Sequence, residues 1–463
     1  MLNTSKSFEL QDRFRALIPG GAHTYAKGDD QYPEFSPVYI KRGEGCRVWD
    51  LDGNEFIEYG SGLRSVTLGH AFPAVVEAAG RQLALGSNFV RPSPLELQCA
   101  ERLASLIDSA EMVKFIKDGS SATSAAVRLA RAFTGRDLVA ICSSDPFYSY
   151  DDWFIGTTEM RAGTLEVVSE RTVRFDYNDL GSVERVFAAN PGRLACVIME
   201  AERTTRPARG FLPGVQELCR REGALFILDE MITGFRWNIG GAQAEYGLHP
   251  DLSTFGKAMA NGFALSAIVG RREIMELGGF DHDRRRVFLA STTHGGETHA
   301  LAAAIATMDA YEELDVVNVL HERGHRLAAG VTAAAQAVGV QDHFEVVGRP
   351  CNLVYATRDA DRNPSQPFRT LFLQETMERG LLMPSLVVNY SHSEADIDET
   401  VEKVADALTV YRRALDEGID RYLRGRSVRP TFRGMGDGHS AVAQLPSSFT
   451  VTPSRGPSMA SPA

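Results

Sequence analysis

Three short apolar runs limit what this chain can fold into: Leu138-Val-Ala-Ile-Cys142, Leu194-Ala-Cys-Val-Ile-Met199 and Ala224-Leu-Phe-Ile-Leu228. Each is hydrophobic at successive positions, which a strand needs when both its faces are buried. Helix-like stretches such as Gly214-Val-Gln-Glu-Leu-Cys-Arg-Arg-Glu222 separate them. The alternation is that of an α/β fold, a mostly parallel sheet wrapped by helices. At 463 residues the chain buries large cores and forms more than one lobe.

The flanks read differently. Cys46-Arg-Val-Trp-Asp-Leu-Asp-Gly-Asn-Glu-Phe-Ile-Glu-Tyr59 is two alternating runs around Asp-Gly, a hairpin signal. The C-terminal part opens with a helix near Thr307. It returns to strands at Phe344-Glu-Val-Val-Gly and Asn352-Leu-Val-Tyr, then ends in the amphipathic stretch from Glu394 to Leu408. The expected organisation is a large central domain over 76–310 and a smaller α+β domain built from 1–75 and 311–425. From 426 to 463, Gly, Pro and Ser accumulate without periodicity, as in a largely disordered tail.

A net charge of −11 argues against nucleic acid or an anionic membrane as the main partner. The start shows no signal-peptide pattern and no run is long enough to span a bilayer, so a cytoplasmic protein is expected. The six Cys and eleven His have neither metal-like nor disulfide-scaffold spacing, and no metal is expected.

Arg supplies nearly all the positive charge. Of 49 Lys plus Arg, seven are Lys (Lys6, Lys27, Lys41, Lys114, Lys117, Lys257 and Lys403), and only Lys257 falls between Lys117 and Lys403. It sits in the Gly-flanked stretch Ser253-Thr-Phe-Gly-Lys-Ala-Met-Ala-Asn-Gly-Phe263. A guanidinium stays protonated; a desolvated amine loses its proton and attacks a carbonyl. Lys257 therefore reads as a Schiff-base lysine, against an ordinary surface lysine. Asp229 and Glu230 end the run Leu225-Phe-Ile-Leu-Asp-Glu230, 28 residues before Lys257 for Asp229. Acids at the carboxyl end of a buried strand lie where α/β sheets bind ligands, though both could cap the next turn instead. A lysine for the aldehyde and a carboxylate for the ring nitrogen are the two partners pyridoxal phosphate needs. Lys117-Asp-Gly-Ser-Ser-Ala-Thr-Ser-Ala-Ala-Val-Arg-Leu-Ala-Arg131 is a Gly/Ser turn opening a helix. Its N–H groups at Gly119, Ser120 and Ser121 suit a phosphate, although a plain N-cap looks the same locally.

Taken in order, Asp229-Glu-Met-Ile-Thr-Gly-Phe-Arg236 and Gly240-Gly-Ala-Gln-Ala-Glu-Tyr-Gly-Leu-His-Pro-Asp-Leu-Ser-Thr-Phe-Gly-Lys257 resemble the core signature of class III (fold type I) pyridoxal-phosphate aminotransferases. Within them the chain most resembles the glutamate-1-semialdehyde aminomutase-like branch, from roughly Ile18 to Leu415. The resemblance implies pyridoxal 5′-phosphate as cofactor, Lys257 and Asp229 as catalytic residues, and the turn at Gly119, Ser120 and Ser121 as phosphate holder, with Ser121 where a Glu is usual. It places an aromatic over the ring at Phe147, with Tyr148 as the alternative. It puts Met231 on the other face, where Val is more usual, and Glu200 beside the cofactor hydroxyl. Thr293, in Ser291-Thr-Thr-His-Gly-Gly296, would complete the phosphate site of a neighbouring subunit, implying a homodimer with shared sites. Arg64, His23, Tyr25, Arg236 and Tyr390 are candidate substrate contacts.

Two segments depart from their relatives: Ala260-Asn-Gly-Phe-Ala-Leu-Ser266 replaces the glycine-rich run of the mutase type, and Gly60-Ser-Gly-Leu-Arg-Ser-Val-Thr-Leu-Gly-His70 departs from the aromatic-containing form common in class III enzymes. With Ser-Thr-Thr-His-Gly-Gly-Glu-Thr-His, these are similar to the aminosugar aminotransferases of aminoglycoside pathways, the neomycin, butirosin and gentamicin type. The function this implies is transfer of an amino group from a small-molecule donor to an oxo-sugar, commonly a 6′-aldehyde, in antibiotic biosynthesis. An aminomutase of the glutamate-1-semialdehyde kind, or an epimerase or dehydratase acting on an aminosugar, would use the same cofactor site. A silent relative serving as a scaffold is opposed by the paired Asp229 and Lys257.

Overall fold

The computed structural model describes residues 2–429. Thirteen strands among them form three sheets. In chain order the strands are β1 (Ile40–Glu44), β2 (Arg47–Asp50), β3 (Glu55–Glu58), β4 (Met112–Ile116), β5 (Leu138–Cys142), β6 (Thr172–Phe175), β7 (Leu194–Met199), β8 (Leu225–Asp229), β9 (Leu252–Phe255), β10 (Ser266–Gly270), β11 (Phe344–Arg349), β12 (Asn352–Thr357) and β13 (Leu381–Leu382).

The seven-stranded sheet has the order β4-β10-β9-β8-β7-β5-β6. β9, β8, β7, β5 and β6 run parallel; β10 alone opposes its neighbours. Every residue of β5, β7, β8, β9 and β10 is buried, which is why these segments read as unbroken apolar runs. The helix Gly119–Thr134 lies on one face and presents Ala122, Ala125, Ala126, Val127, Leu129 and Ala130 to the core; the helix Phe211–Glu222 covers the other with Val215, Leu218 and Cys219.

The expected hairpin is β2 and β3, antiparallel with Val48 opposite Phe56. β13 joins β3 in parallel, Leu381 beside Ile57, so a strand from far along the chain completes the N-terminal sheet. β11 and β12 form a separate hairpin backed by the helices Val316–Ala337 and Gln366–Glu378. The long helix Glu394–Glu417 starts with Ser393 and Asp396 capping each other reciprocally.

Most of the stretch expected as a tail lies outside the described residues. Its first residues are tied down: Arg426 donates its N–H to Glu34 and Arg429 to the carbonyl of Asp30 in the N-terminal segment, and buried Val428 to Thr370 on the helix Gln366–Glu378. All six cysteines are buried and unpaired. Among the described residues no group of acids, His and Cys is arranged to hold a metal, and no helix is long and apolar enough to cross a membrane.

Candidate active site

The parallel strands end side by side, and polar side chains follow them there: Asp145 three residues after β5, Glu200 directly after β7, Asp229 closing β8, and Lys257 two residues after β9. The three acids are buried and Lys257 is partly buried. This is the edge where doubly wound sheets bind ligands. Lys257 holds a left-handed backbone (φ +44°). A non-glycine residue there costs on the order of 1–2 kcal/mol, and such outliers gather at functional sites.

The charges act on one another. Burial pushes the Lys257 amine below the ordinary lysine value; Asp229 and Glu200 oppose that shift, and Arg236 and Arg64 add to it. Burial raises Asp229, against the pull of Lys257 and the donors Met231 N–H and Thr254 hydroxyl. Glu200 is raised first by burial and then by Asp145, with Arg203 opposing. Asp145 is raised by burial too, against a hydrogen bond from Tyr148. An amine whose proton is loosened by burial, set among carboxyls raised by burial, suits an amine nucleophile and proton carrier.

Asp229 and Glu230, adjacent in sequence, have separate tasks. Glu230 does cap the next turn: it accepts from Ala242 N–H (2.8 Å), Gln243 N–H (2.9 Å) and the Thr233 hydroxyl. Asp229 accepts from Met231 N–H (3.0 Å) and Thr254 Oγ1 (2.9 Å), both through Oδ1. Its Oδ2 has no hydrogen bond among the described residues. The other unmet acceptor is Glu200 Oε2, fully buried without a hydrogen-bond partner and 3.8 Å from Arg203 Nε.

The expected phosphate turn opens the helix Gly119–Thr134. The Ser121 N–H is already taken by Asp118 Oδ1 (2.9 Å), so the free donors are the N–H groups of Gly119 and Ser120. Met231 sits against this turn. A Cβ on Gly119 would lie 3.1 Å from its sulfur and one on Gly256 only 2.7 Å, so Met231 packs between the turn and the residue before Lys257. Tyr148 is buried, with its hydroxyl on Asp145 and on the Ile198 carbonyl (3.3 Å). Phe147 is 42% exposed and edge-on to Phe154. Thr293 makes no hydrogen bond to Gly119, Ser120 or Lys257 within the chain; it lines a surface groove with Phe89, Val90, Arg91 and Lys114.

The candidate substrate contacts divide. Arg64 and Arg236 both lie within the field of Lys257. Arg236 is fully buried and donates to the carbonyls of Ile232 (2.5 Å) and Arg64 (2.6 Å) and to Thr67 Oγ1 (3.2 Å), so it holds the 64–67 loop and reaches no open surface. Tyr390 ties its N–H to the Thr67 carbonyl on the same loop. His23 and Tyr25 are exposed in a run of short 3-10 turns and join none of these groups by a hydrogen bond. Sequence reasoning missed Asp145, Arg203, Thr254 and Asn352. Asp145 and Arg203 had a usable signal, since each follows a buried strand end within four residues; Asn352 had none.

Known proteins show which family the chain belongs to. The family model described as "Aminotransferase class-III" matches residues 27–408. The chain is 32% identical over 436 residues to a glutamate-1-semialdehyde 2,1-aminomutase of Desulforamulus reducens, covering 89% of this chain and 99% of that protein. It is 33% identical to another from Laribacter hongkongensis, covering 86% and 98%. A solved structure, the PLP internal aldimine form of the FumI protein of Sphingopyxis sp. MTA144, superposes with a TM-score of 0.81 at 25% identity over 89% of this chain and 98% of that one. The chain belongs to the class III aminotransferases, enzymes of fold type I that depend on pyridoxal phosphate.

The residues present fit that cofactor. The amine is desolvated, Asp229 Oδ2 and Glu200 Oε2 are unmet acceptors for a ring nitrogen and a hydroxyl, and two free N–H groups at a helix start suit a phosphate.

Proposed function

We propose that this enzyme moves an amino group between an amino-acid donor and a small carbonyl compound. Lys257 is the covalent anchor and proton carrier, and Asp229 the ring-nitrogen partner. The observation that carries this reading is the desolvated Lys257 amine in the field of Asp229 and Glu200, the latter with a buried Oε2 that has no hydrogen-bond partner. When bound, pyridoxal phosphate supplies an electron sink that acidifies the substrate carbon next to nitrogen. Lys257, whose amine burial shifts below the ordinary lysine value, would carry the proton between that carbon and the position next to it. Thr254 and the Met231 N–H fix Oδ1 of Asp229, which would leave Oδ2 for the ring nitrogen. The Gly119 and Ser120 N–H groups would hold the phosphate, with Met231 and Phe147 as the side chains to pack against the ring. Tyr148, with its hydroxyl engaged, backs Asp145.

The site is shared in a homodimer, with Thr293 serving the partner's phosphate. Fully exposed Val90 and half-exposed Phe89 line the same groove, apolar surface that a second copy would cover. The chain divides near 75, 310 and 425 into a cofactor domain and a smaller domain built from both ends.

For the carbonyl compound, the curated relatives support a semialdehyde of the glutamate-1-semialdehyde kind, hence a carboxylate-bearing substrate. The second reading is an oxo-sugar of an aminoglycoside, favoured by the departures at 60–70 and 260–266. Half-reaction spectra decide between them. Conversion of the yellow form to the near-ultraviolet pyridoxamine form by 4,5-diaminovalerate and not by neamine supports the first reading, and the reverse supports the second. A spectral shift without release of pyridoxamine phosphate points to epimerase or dehydratase chemistry.

A further inference from the structure

The stretch Ser61–Arg64 is a left-handed turn. Ser61, Gly62, Leu63 and Arg64 take φ values of +45°, +56°, +58° and +71° in succession. L-residues visit this region singly, not in runs, because Cβ crowds the following carbonyl. One glycine relieves one position; three side-chain-bearing residues remain strained. The surroundings hold the turn in place. Glu58 Oε2 accepts from Ser61 N–H (2.9 Å), Gly60 O from Arg64 N–H (3.0 Å), and the Arg236 fork grips the Arg64 carbonyl. Strain held this firmly points to a side chain that has to be aimed.

That side chain is Arg64. Its Nε donates to Asn352 Oδ1 (2.7 Å), across from the β11–β12 turn. Its two terminal nitrogens make no hydrogen bond or ion pair among the described residues. A nearby arginine shows what an internally neutralised one looks like: Arg349 meets Glu202 (3.0 Å), Glu245 (2.7 Å) and the Tyr246 hydroxyl (3.0 Å). Arg64 has a neutral amide as its one partner, so its positive charge stays available beside Lys257.

We infer that Arg64 is an anion-binding residue of this site: its terminal nitrogens hold a carboxylate of the substrate in a bidentate pair, and Asn352 is the positioning residue that sets its plane without neutralising it. The inference rests on the amine-transfer reading and names the class of substrate that site accepts. The carboxylate comes from the amino donor or from the carbonyl compound.

The test is titration of the yellow holoenzyme with glutarate, a dicarboxylate without an amine, followed by calorimetry. Arg64→Gln weakens binding by about tenfold to a hundredfold, the range for a hydrogen bond to a charged group. Arg64→Lys keeps part of the affinity, which guards against a folding artefact. Asn352→Asp is the sharper variant. A carboxylate at 352 strengthens a merely structural contact, whereas the inference requires that it neutralise Arg64 and weaken glutarate by about tenfold. KM values for glutamate as donor and for succinic semialdehyde as acceptor show which compound brings the carboxylate, since the affected arm rises in Arg64→Gln. Wild-type affinity and KM in both Arg64→Gln and Asn352→Asp, or a wild type that does not bind glutarate at all, overturns the assignment. The yellow band separates the two ideas: if it persists in Arg64→Gln while glutarate binding is unchanged, the subsite fails alone. A wild-type holoenzyme with no band removes the amine-transfer reading first.

Discussion

Glu200 and Glu202 stand two residues apart at the end of β7, both buried, in opposite circumstances. Glu202 is saturated: it accepts from Trp237 Nε1 (2.9 Å), the Tyr246 hydroxyl and Arg349 (3.0 Å), with Arg349 also near the Trp237 and Tyr246 rings. Glu200 has an orphan oxygen, a distant Arg203 and two more acids in its field. A buried carboxyl with every lone pair met ties elements together, here the end of β7 to the β11–β12 hairpin. A buried carboxyl left half-met is held for something that arrives later. Burial alone does not separate the two; the count of partners does.

The largest effect expected lies on the unmet side. Lys257→Ala should lower the half-reaction rate with any donor by at least about 10²–10⁴-fold, the share of a positioned proton carrier, in single-turnover spectra. A loss under tenfold would mean that another group moves the proton.

Next is the saturated side. Glu202→Ala takes one of two carboxylates from Arg349 and the acceptor from Trp237 Nε1, and should cost about 1–3 kcal/mol in urea unfolding. Glu200→Gln removes a half-met buried carboxyl and should leave the urea midpoint unchanged or higher. Equal losses in the two variants would erase the contrast.

The pH dependence sharpens it. Burial and Asp145 raise Glu200 in the folded state, so across the window from the ordinary glutamate range up to that raised value the folded protein keeps a proton that the unfolded chain has lost. Stability therefore falls as pH rises through that window. In cofactor-free protein, Glu200→Gln should flatten this slope, measured as urea midpoint against pH; an unchanged slope would assign it to Asp145 and Asp229 alone.

The smallest effect is at Thr254. Thr254→Val removes one hydrogen bond from Asp229 Oδ1 and should weaken cofactor binding by about 0.5–1.5 kcal/mol, a few-fold to about tenfold in Kd by fluorescence titration. No change would leave Asp229 oriented by the Met231 N–H alone.

Much of this was legible in the sequence because the determinants are local. Buried strands read as apolar runs, and β5 and β7 fall where those runs do, with β8 shifted by one residue. The candidate site follows them directly, so Asp229 and Lys257 were visible from position and residue type, and Glu200 through the family resemblance. The turn at Gly119 was visible as a helix start, but not that Asp118 would claim the Ser121 N–H. What stayed hidden depends on long-range pairing. Arg236 looked like a substrate contact until its fork was seen gripping the 64–67 loop, 169 residues away at Thr67. Arg64 owes its setting to Asn352, 288 residues away, and to a left-handed turn in which only Gly62 gives any signal.

The most direct test of the central claim is the identity of the lysine that carries the cofactor. Reduce the yellow enzyme with borohydride, digest it and locate the pyridoxyl group by mass spectrometry. The account predicts the modification on Lys257 and on none of the other six lysines. A pyridoxyl group on Lys114 or Lys117, or a yellow protein that yields no modified lysine, would contradict it.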